Sequence, residues 1–401
     1  MRTTTASHTA FAAFGLFWGT WGAALPGLRD AAGVDDAALG TALLFVGLGA
    51  LPAMLLTGRA VDRFGARTAG PLLCALAVAG VLTAWFARDL PTLATGMALV
   101  GATSGAADVA GNALAGLAEQ RSGGRVITLS HAVFSSFVVI GSLGTGALRA
   151  AGADVVPVFA AAGALMVVAG VVVLATGDGP HAPSAPPGGR RRDGARLLLP
   201  FVVIGLVGAL GFAAENAHQS WSAIFLADEL GAAPGLTAVA PATFAVFAAL
   251  TRFAAGASTR VPTGALLVGG AVVAAAGTLA VAAARDLPVA LGGLALAAVG
   301  TSVLFPTLLS RAARDVPADR RGRATSAVAT TAYLGFVLGP VYVGALADVV
   351  GLRGAMVGVA ALAGAFAVLA PAVTRRHERA QRVARGSGRA VASENSSVMR
   401  R

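Results

Sequence analysis

Apolar runs of about twenty residues follow one another along this chain, separated by short polar breaks. They fall at 8–28, 37–57, 68–87, 91–117, 126–149, 154–176, 197–226, 233–256, 263–284, 288–310, 324–346 and 353–373. A run of about 18 or more apolar residues is long enough to cross the hydrocarbon core as a helix. The pattern predicts an all-α membrane protein of twelve transmembrane helices, with both termini on one side. The first run follows a single early charge, Arg2, and continues at full length, so it reads as a retained helix rather than a cleaved leader.

Between the sixth and seventh runs the chain reads GDGPHAPSAPPGGRRRDGAR, a Pro-, Gly- and Arg-rich stretch that cannot build a core. It divides the chain into a six-helix bundle at 1–176, a cytoplasmic linker at 177–196 and a second six-helix bundle at 197–373. A basic tail at 374–401 is expected to be disordered. Internal repetition supports two pseudo-symmetric halves. ARDLP occurs at 87–91 and again at 284–288; Gly124-Arg125 recurs as Gly322-Arg323, and Gly146-Ala147-Leu148 as Gly344-Ala345-Leu346. The spacing between copies stays near 200 residues, where chance matches would scatter. Duplicated bundles are a transporter architecture with the solute site at the midplane between them.

Composition agrees: 56% of residues are hydrophobic and 12% charged, against about 25% charged in a soluble domain. The net charge is +11, and all the basic residues are arginine. Sorted by side, 25 arginines, Arg252 included, fall to the terminus-bearing face and five (Arg29, Arg88, Arg149, Arg285, Arg353) to the other. That bias places both termini in the cytoplasm of a bacterial inner (plasma) membrane. It makes the charge a matter of topology, not of nucleic-acid binding. The lone cysteine, Cys74, excludes an intramolecular disulfide and a cysteine metal cluster. HExxH, GxSxG and GxxxxGK[ST] are all absent, so nothing points to an enzyme, a metal or another cofactor.

The turn after the second run reads Gly58-Arg59-Ala60-Val61-Asp62-Arg63-Phe64-Gly65-Ala66-Arg67. It resembles the signature loop of the major facilitator superfamily at Gly58, Asp62, Arg63, Gly65 and Arg67; Ala66 departs from the usual basic residue. The resemblance implies the MFS fold and a cytoplasmic latch that must break during transport. An ordinary basic loop is the alternative. Glycines suit a tight turn, and Asp62 can face the positive end of a neighbouring helix.

Polar residues inside the runs are costly and therefore candidate sites. Asp108 sits mid-run, with Asn112 one turn on along the same face. An acid at that depth can take up and release a proton; it can also serve as an interhelical hydrogen bonder. The acid–Asn spacing, the stretch 124–135 and the cluster at 215–221 resemble the fucose-permease-like branch of the superfamily. The first run carries no acid here, where fucose permease has one. Glu215-Asn216-Ala217-His218-Gln219-Ser220-Trp221 is the densest polar cluster, and Glu215, His218 and Gln219 are read as sharing a face. Glu215 is a second candidate proton carrier. Asn112, His131, His218, Gln219, Trp21 and Trp221 are candidate solute contacts, with Trp21 expected opposite Trp221; interhelical bonding or interface anchoring are their alternatives. Asp348, Gly351 and Arg353 read as an external turn.

These features predict a monomeric, proton-coupled secondary transporter of a sugar-like or other small polar solute, with the lipid bilayer and protons as its further partners. Proton-driven efflux of an amphiphile is the alternative, and a membrane-embedded enzyme or scaffold a remote one.

Overall fold

The computed structural model describes residues 2–177, 198–257, 261–313, 316 and 318–398. Side chains at 62, 66, 256–257, 313, 318–322 and 375–398 lie outside the described residues. So does nearly all of the expected linker. Every regular element among the described residues is helical. The first six α-helices are α1 (Arg2–Ala32), α2 (Asp36–Phe64), α3 (Ala69–Phe86), α4 (Leu90–Ser122), α5 (Val126–Ala150) and α6 (Val155–Thr176). After the gap come α7 (Leu199–Leu230), the short α8 (Pro234–Thr237), α9 (Val239–Ala257), α10 (Thr263–Ala283), α11 (Leu287–Thr301), α12 (Leu304–Ala313) and α13 (Ala318–Val398).

Ten segments among the described residues are long and apolar enough to cross a bilayer. Two of them join elements, α8 with α9 and α11 with α12, and the last runs unbroken from Arg323 to Thr374. A tally of twelve also needs α1, which falls outside these ten, and a division of the last segment at Gly351. There the backbone turns to φ +73°, ψ 167°, inside what is otherwise helix. Only glycine enters that region without strain. The backbone stays helical to Val398, where the sequence pattern suggested an unstructured tail.

Large apolar side chains such as Leu55, Leu165, Val168 and Val368 face outward, as a lipid-facing surface requires. Small residues let the inner helices meet closely. A methyl group added at Gly170 would sit 2.8 Å from the Gly70 carbonyl oxygen. Ser142 Oγ donates to the Gly19 carbonyl (3.1 Å), and Ser7 and Ser130 share a buried 2.8 Å hydrogen bond, so α1 is fixed to α5 along its length.

The repeated pentapeptide has a structural meaning. Asp89 accepts from the Thr92 amide (2.9 Å) and caps α4; Asp286 accepts from the Val289 amide (3.0 Å) and caps α11. Each is followed by proline in the first turn, where a missing amide proton costs nothing. Matching sequence thus builds matching helix starts about 200 residues apart.

Candidate functional site

A cavity of about 290 Å³ opens at the middle of the helices. It is lined from α1 by Phe14, Trp18, Trp21 and Gly22; from α2 by Val46, Ala50 and Met54; and from α4 by Ser104, Gly105 and Asp108. Phe134, Ser135 and Val138 come from α5. The opposite wall is Glu215, Asn216, Gln219 and Ser220 of α7, Pro241, Phe244, Ala245, Ala248 and Arg252 of α9, and Tyr333 and Phe336 of α13. Most of this surface is apolar or aromatic, with a few converging polar groups, as solute sites commonly are.

Two carboxylates enter it in different company. Asp108 Oδ1 accepts from Asn112 Nδ2 at 3.0 Å, and the same amide donates to the Asp108 carbonyl at 2.9 Å. Among the described residues no cation pairs with it. Glu215 is buried and held by Arg252, whose Nη2 lies 2.5 Å from Oε1; Gln219 Nε2 donates to the same oxygen at 3.2 Å. Arg252 Nε also donates to the Ser302 carbonyl at 3.3 Å. Ser302 lies in the break between α11 and α12, where the helical ladder is interrupted. Irregular backbone at this depth survives where it is buried in protein or faces a wet cavity. Arg252 therefore ties α7, α9 and this break together.

The charge sort placed Arg252 with the loops. The structure puts it inside α9 and in the cavity, a correction that leaves the overall arginine bias intact. Its signal was present: it lies within the apolar run 233–256. Tyr333, Phe336, Asn216 and Ser220 were also not singled out as cavity residues; nothing in a lone aromatic within an apolar run marks it as cavity-facing.

The face of α7 is also rotated from its expected position. Glu215, Asn216, Gln219 and Ser220 form the cavity row, and at 3.6 residues per turn Trp221 falls on the opposite side. Trp221 is fully buried outside the cavity, so it does not face Trp21 across it. His218 is likewise buried behind the wall, sharing a 2.9 Å hydrogen bond with Thr278 Oγ1 and stacking on Phe244 at 5.6 Å. Asn112 turns back to its own helix instead of lining the cavity. His131 meets Phe11 edge-on at 4.9 Å and is not a lining residue. Of the expected sites, Trp21, Asp108, Glu215 and Gln219 do come together at the cavity.

In the signature loop, Gly65 makes the turn at φ +81° and its amide donates to Val61 O at 2.8 Å. Gly58 lies within α2 and makes no turn, because α2 runs on to Phe64. Arg63 lies over the Phe64 ring, and Arg67 occupies a 3₁₀ turn at Ala66–Thr68. The Asp62 side chain lies outside the described residues.

The end of the helices far from the termini is closed by contacts across the cleft. Arg29 of α1 bonds Asp36 of α2 (2.8 Å) and also pairs with Asp228 of α7. A methyl group at Gly344 of α13 would sit 2.8 Å from Gly40 Cα of α2; one at Gly146 of α5 would sit 2.6 Å from the Gly235 oxygen of α8. Gly146 and Gly344 are the two copies of the repeated Gly-Ala-Leu. Nearby, Arg353 donates to Glu229 Oε2 (2.7 Å) and to the carbonyls of Ala282 (3.0 Å) and Ala284 (2.6 Å). The expected external turn is thus also a brace between α7, α10 and α13.

The family profile described as Major Facilitator Superfamily matches residues 8–282 and 204–400, and the chain belongs to that superfamily of transporters, which are not enzymes. An uncharacterized MFS-type transporter of Yersinia pestis is 30% identical over 92% of this chain and 95% of its own. A bacterial homologue of the human lysosomal transporter Spinster, inward-facing and occupied, superposes with a TM-score of 0.75 at 16% identity, over 92% of this chain and 96% of the other. A D-xylose–proton symporter gives 0.71 at 15%, over 92% and 96%.

Proposed function

We propose that this chain is a proton-coupled secondary transporter, moving one small solute at a time through the central cavity by alternating access. The observation that supports it best is Asp108: a carboxyl group at mid-helix, on the cavity wall, with an amide for a partner and no cation among the described residues. Such a group can carry a proton as the cavity turns from one side to the other. Two bundles, 1–176 and 197–373, rock against each other about this site. The linker 177–196 and the tail 374–401 stay on the cytoplasmic side of a bacterial plasma membrane. Gly58, Asp62, Arg63, Gly65 and Arg67 form the latch on that side.

Glu215, Gln219 and Trp21 serve the solute, Glu215 through its bond to Arg252. His218, Asn112, His131 and Trp221 support the wall from behind. Polar groups along α7 beside aromatic rings suit a sugar-like or other small polar solute, and one structural neighbour is a D-xylose–proton symporter. The largely apolar lining favours, as the second reading, efflux of an amphiphile.

The test uses purified protein in vesicles with an imposed pH gradient. Asp108→Asn is expected to abolish uphill accumulation while exchange down a solute gradient persists. Undiminished uphill transport by the variant overturns the assignment.

A further inference from the structure

The charges on the cavity wall do not cancel. Among the described lining residues they are Asp108, Glu215 and Arg252. Glu215 and Arg252 neutralise each other through their 2.5 Å contact. Once it has released its proton, Asp108 is an excess negative charge in a largely apolar space. A buried charge without a counter-charge is costly, so the site stabilises whatever supplies the missing positive charge.

We propose that the solute is a monovalent organic ammonium ion with an aromatic or apolar body, its charge held at Asp108 and its body among the rings of Phe14, Trp18, Trp21 and Tyr333. This takes up the amphiphilic alternative of the transport reading in place of the sugar-like one, with proton and solute occupying Asp108 in turn, and rests on that reading for the movement of the solute, but not for its binding. Three observations lead to this class. First, ring faces attract ammonium groups by their electron-rich surfaces, an attraction that grows as water is removed. The rings at hand are themselves ordered: Phe14 meets Trp18 edge-on at 6.3 Å, and Trp18 meets Trp21 at 6.4 Å. Second, an inorganic cation is disfavoured. Sodium or calcium needs a cage of oxygens, whereas Asp108 receives an N–H from Asn112 and has Ala107 and Gly111 beside it along the smaller pocket. No cluster suited to a metal ion exists among the described residues. Third, an anionic solute would have to meet Asp108 while competing with Glu215 for Arg252. Asp108 and the solute's positive charge then meet in the same cavity that Glu215 and Arg252 have already made neutral.

The test is equilibrium binding of radiolabelled phenyltrimethylammonium, a permanent cation with one ring, to the purified full-length protein. Saturable binding is expected, displaced by excess unlabelled phenyltrimethylammonium and not by D-glucose. Asp108→Asn, an isosteric change, is expected to weaken binding by roughly thirty-fold or more, as loss of one partner of a close charge pair does. Asp154→Asn, a change at an exposed helix start, should leave it unchanged. Melting midpoints of both variants show that they fold. Lack of saturable binding, displacement by D-glucose as effective as by the cation, or unchanged affinity in a folded Asp108→Asn protein overturns the proposal. Asp108-dependent binding supports it whether or not vesicles move the cation. Proton-driven movement of a neutral solute with no such binding overturns it and leaves the transport reading standing.

Discussion

Arg252 reaches from α9 to bring Nη2 within 2.5 Å of Glu215 Oε1 on α7, while its Nε holds the Ser302 carbonyl in the break between α11 and α12. One side chain therefore joins two helices and the break between two others at the cavity wall. Removing either partner strands the other, and the larger cost falls on the buried carboxylate. A cycle of Glu215→Gln, Arg252→Gln and the double variant is expected to show a coupling of about 1–3 kcal/mol in thermal or denaturant unfolding. The lower half of that range is favoured because the Arg252 side chain is 45% exposed. Strictly additive single effects would show the pair to be incidental.

The two faces of α7 should answer to different measurements. Gln219 is exposed in the cavity and Trp221 is fully buried behind it. Gln219→Ala is expected to raise the half-saturation concentration for transport several-fold with little change in melting midpoint. Trp221→Ala removes a large packed ring and should cost about 3–5 kcal/mol of stability, with the surviving folded protein keeping its solute affinity. The reverse assignment of effects would place the cavity on the wrong side of the helix.

How far the sequence reached follows from what each residue's neighbours reveal. Long apolar runs, the arginine bias and the repeated ARDLP made the helical class, and the helix starts at Asp89 and Asp286, readable without coordinates. Asp108 was readable because an acid within an apolar run is rare on its face. Arg252 was misplaced because it lies close to the end of its helix, where basic residues are ordinary. His218 and Gln219 are adjacent in sequence, and only the rotation of α7, set by its packing against α13 and by the His218 bond to Thr278 of α10, decides which of them meets the cavity. Tyr333 and Phe336 carry no local mark, since their role comes from the cleft formed by other helices.

Closure of the end far from the termini depends on backbone meeting backbone at Gly40 and Gly344, with Arg29 bridging Asp36 and Asp228 beside it. Gly344→Leu cannot be accommodated there without separating α2 from α13. With Cys74 replaced by serine and a cysteine placed at Ala245 on the cavity wall, this variant is expected to react several-fold faster with a membrane-impermeant maleimide applied from that side. Asp228→Asn should act in the same direction and more weakly. Unchanged labelling in both variants would locate the seal elsewhere.

Asp89 provides a pH test away from the cavity. Hydrogen bonds from the Thr92 hydroxyl and amide hold its carboxyl below the ordinary carboxylate range. A lowered folded-state value means that its contribution is present above the unfolded value, about pH 4, and is lost as pH falls through the folded value. Asp89→Ala is therefore expected to lower the melting midpoint at pH 7, and the gap to wild type should close in strong acid. Asp154→Ala, which removes no capping bond, should show a smaller gap. A gap for Asp89→Ala that is constant with pH would mean that the carboxylate charge plays no part in the cap.

The single residue at Gly351 leaves no slack between the two arms of α13, and Arg353 fastens the second arm immediately beyond it. Arg353 ties the start of the second arm to Glu229 of α7 and to the Ala282 and Ala284 carbonyls. Under the rocking motion proposed above, the two arms on either side of Gly351 are expected to move as one unit, so probes fixed on them would keep their separation while each moves relative to α2.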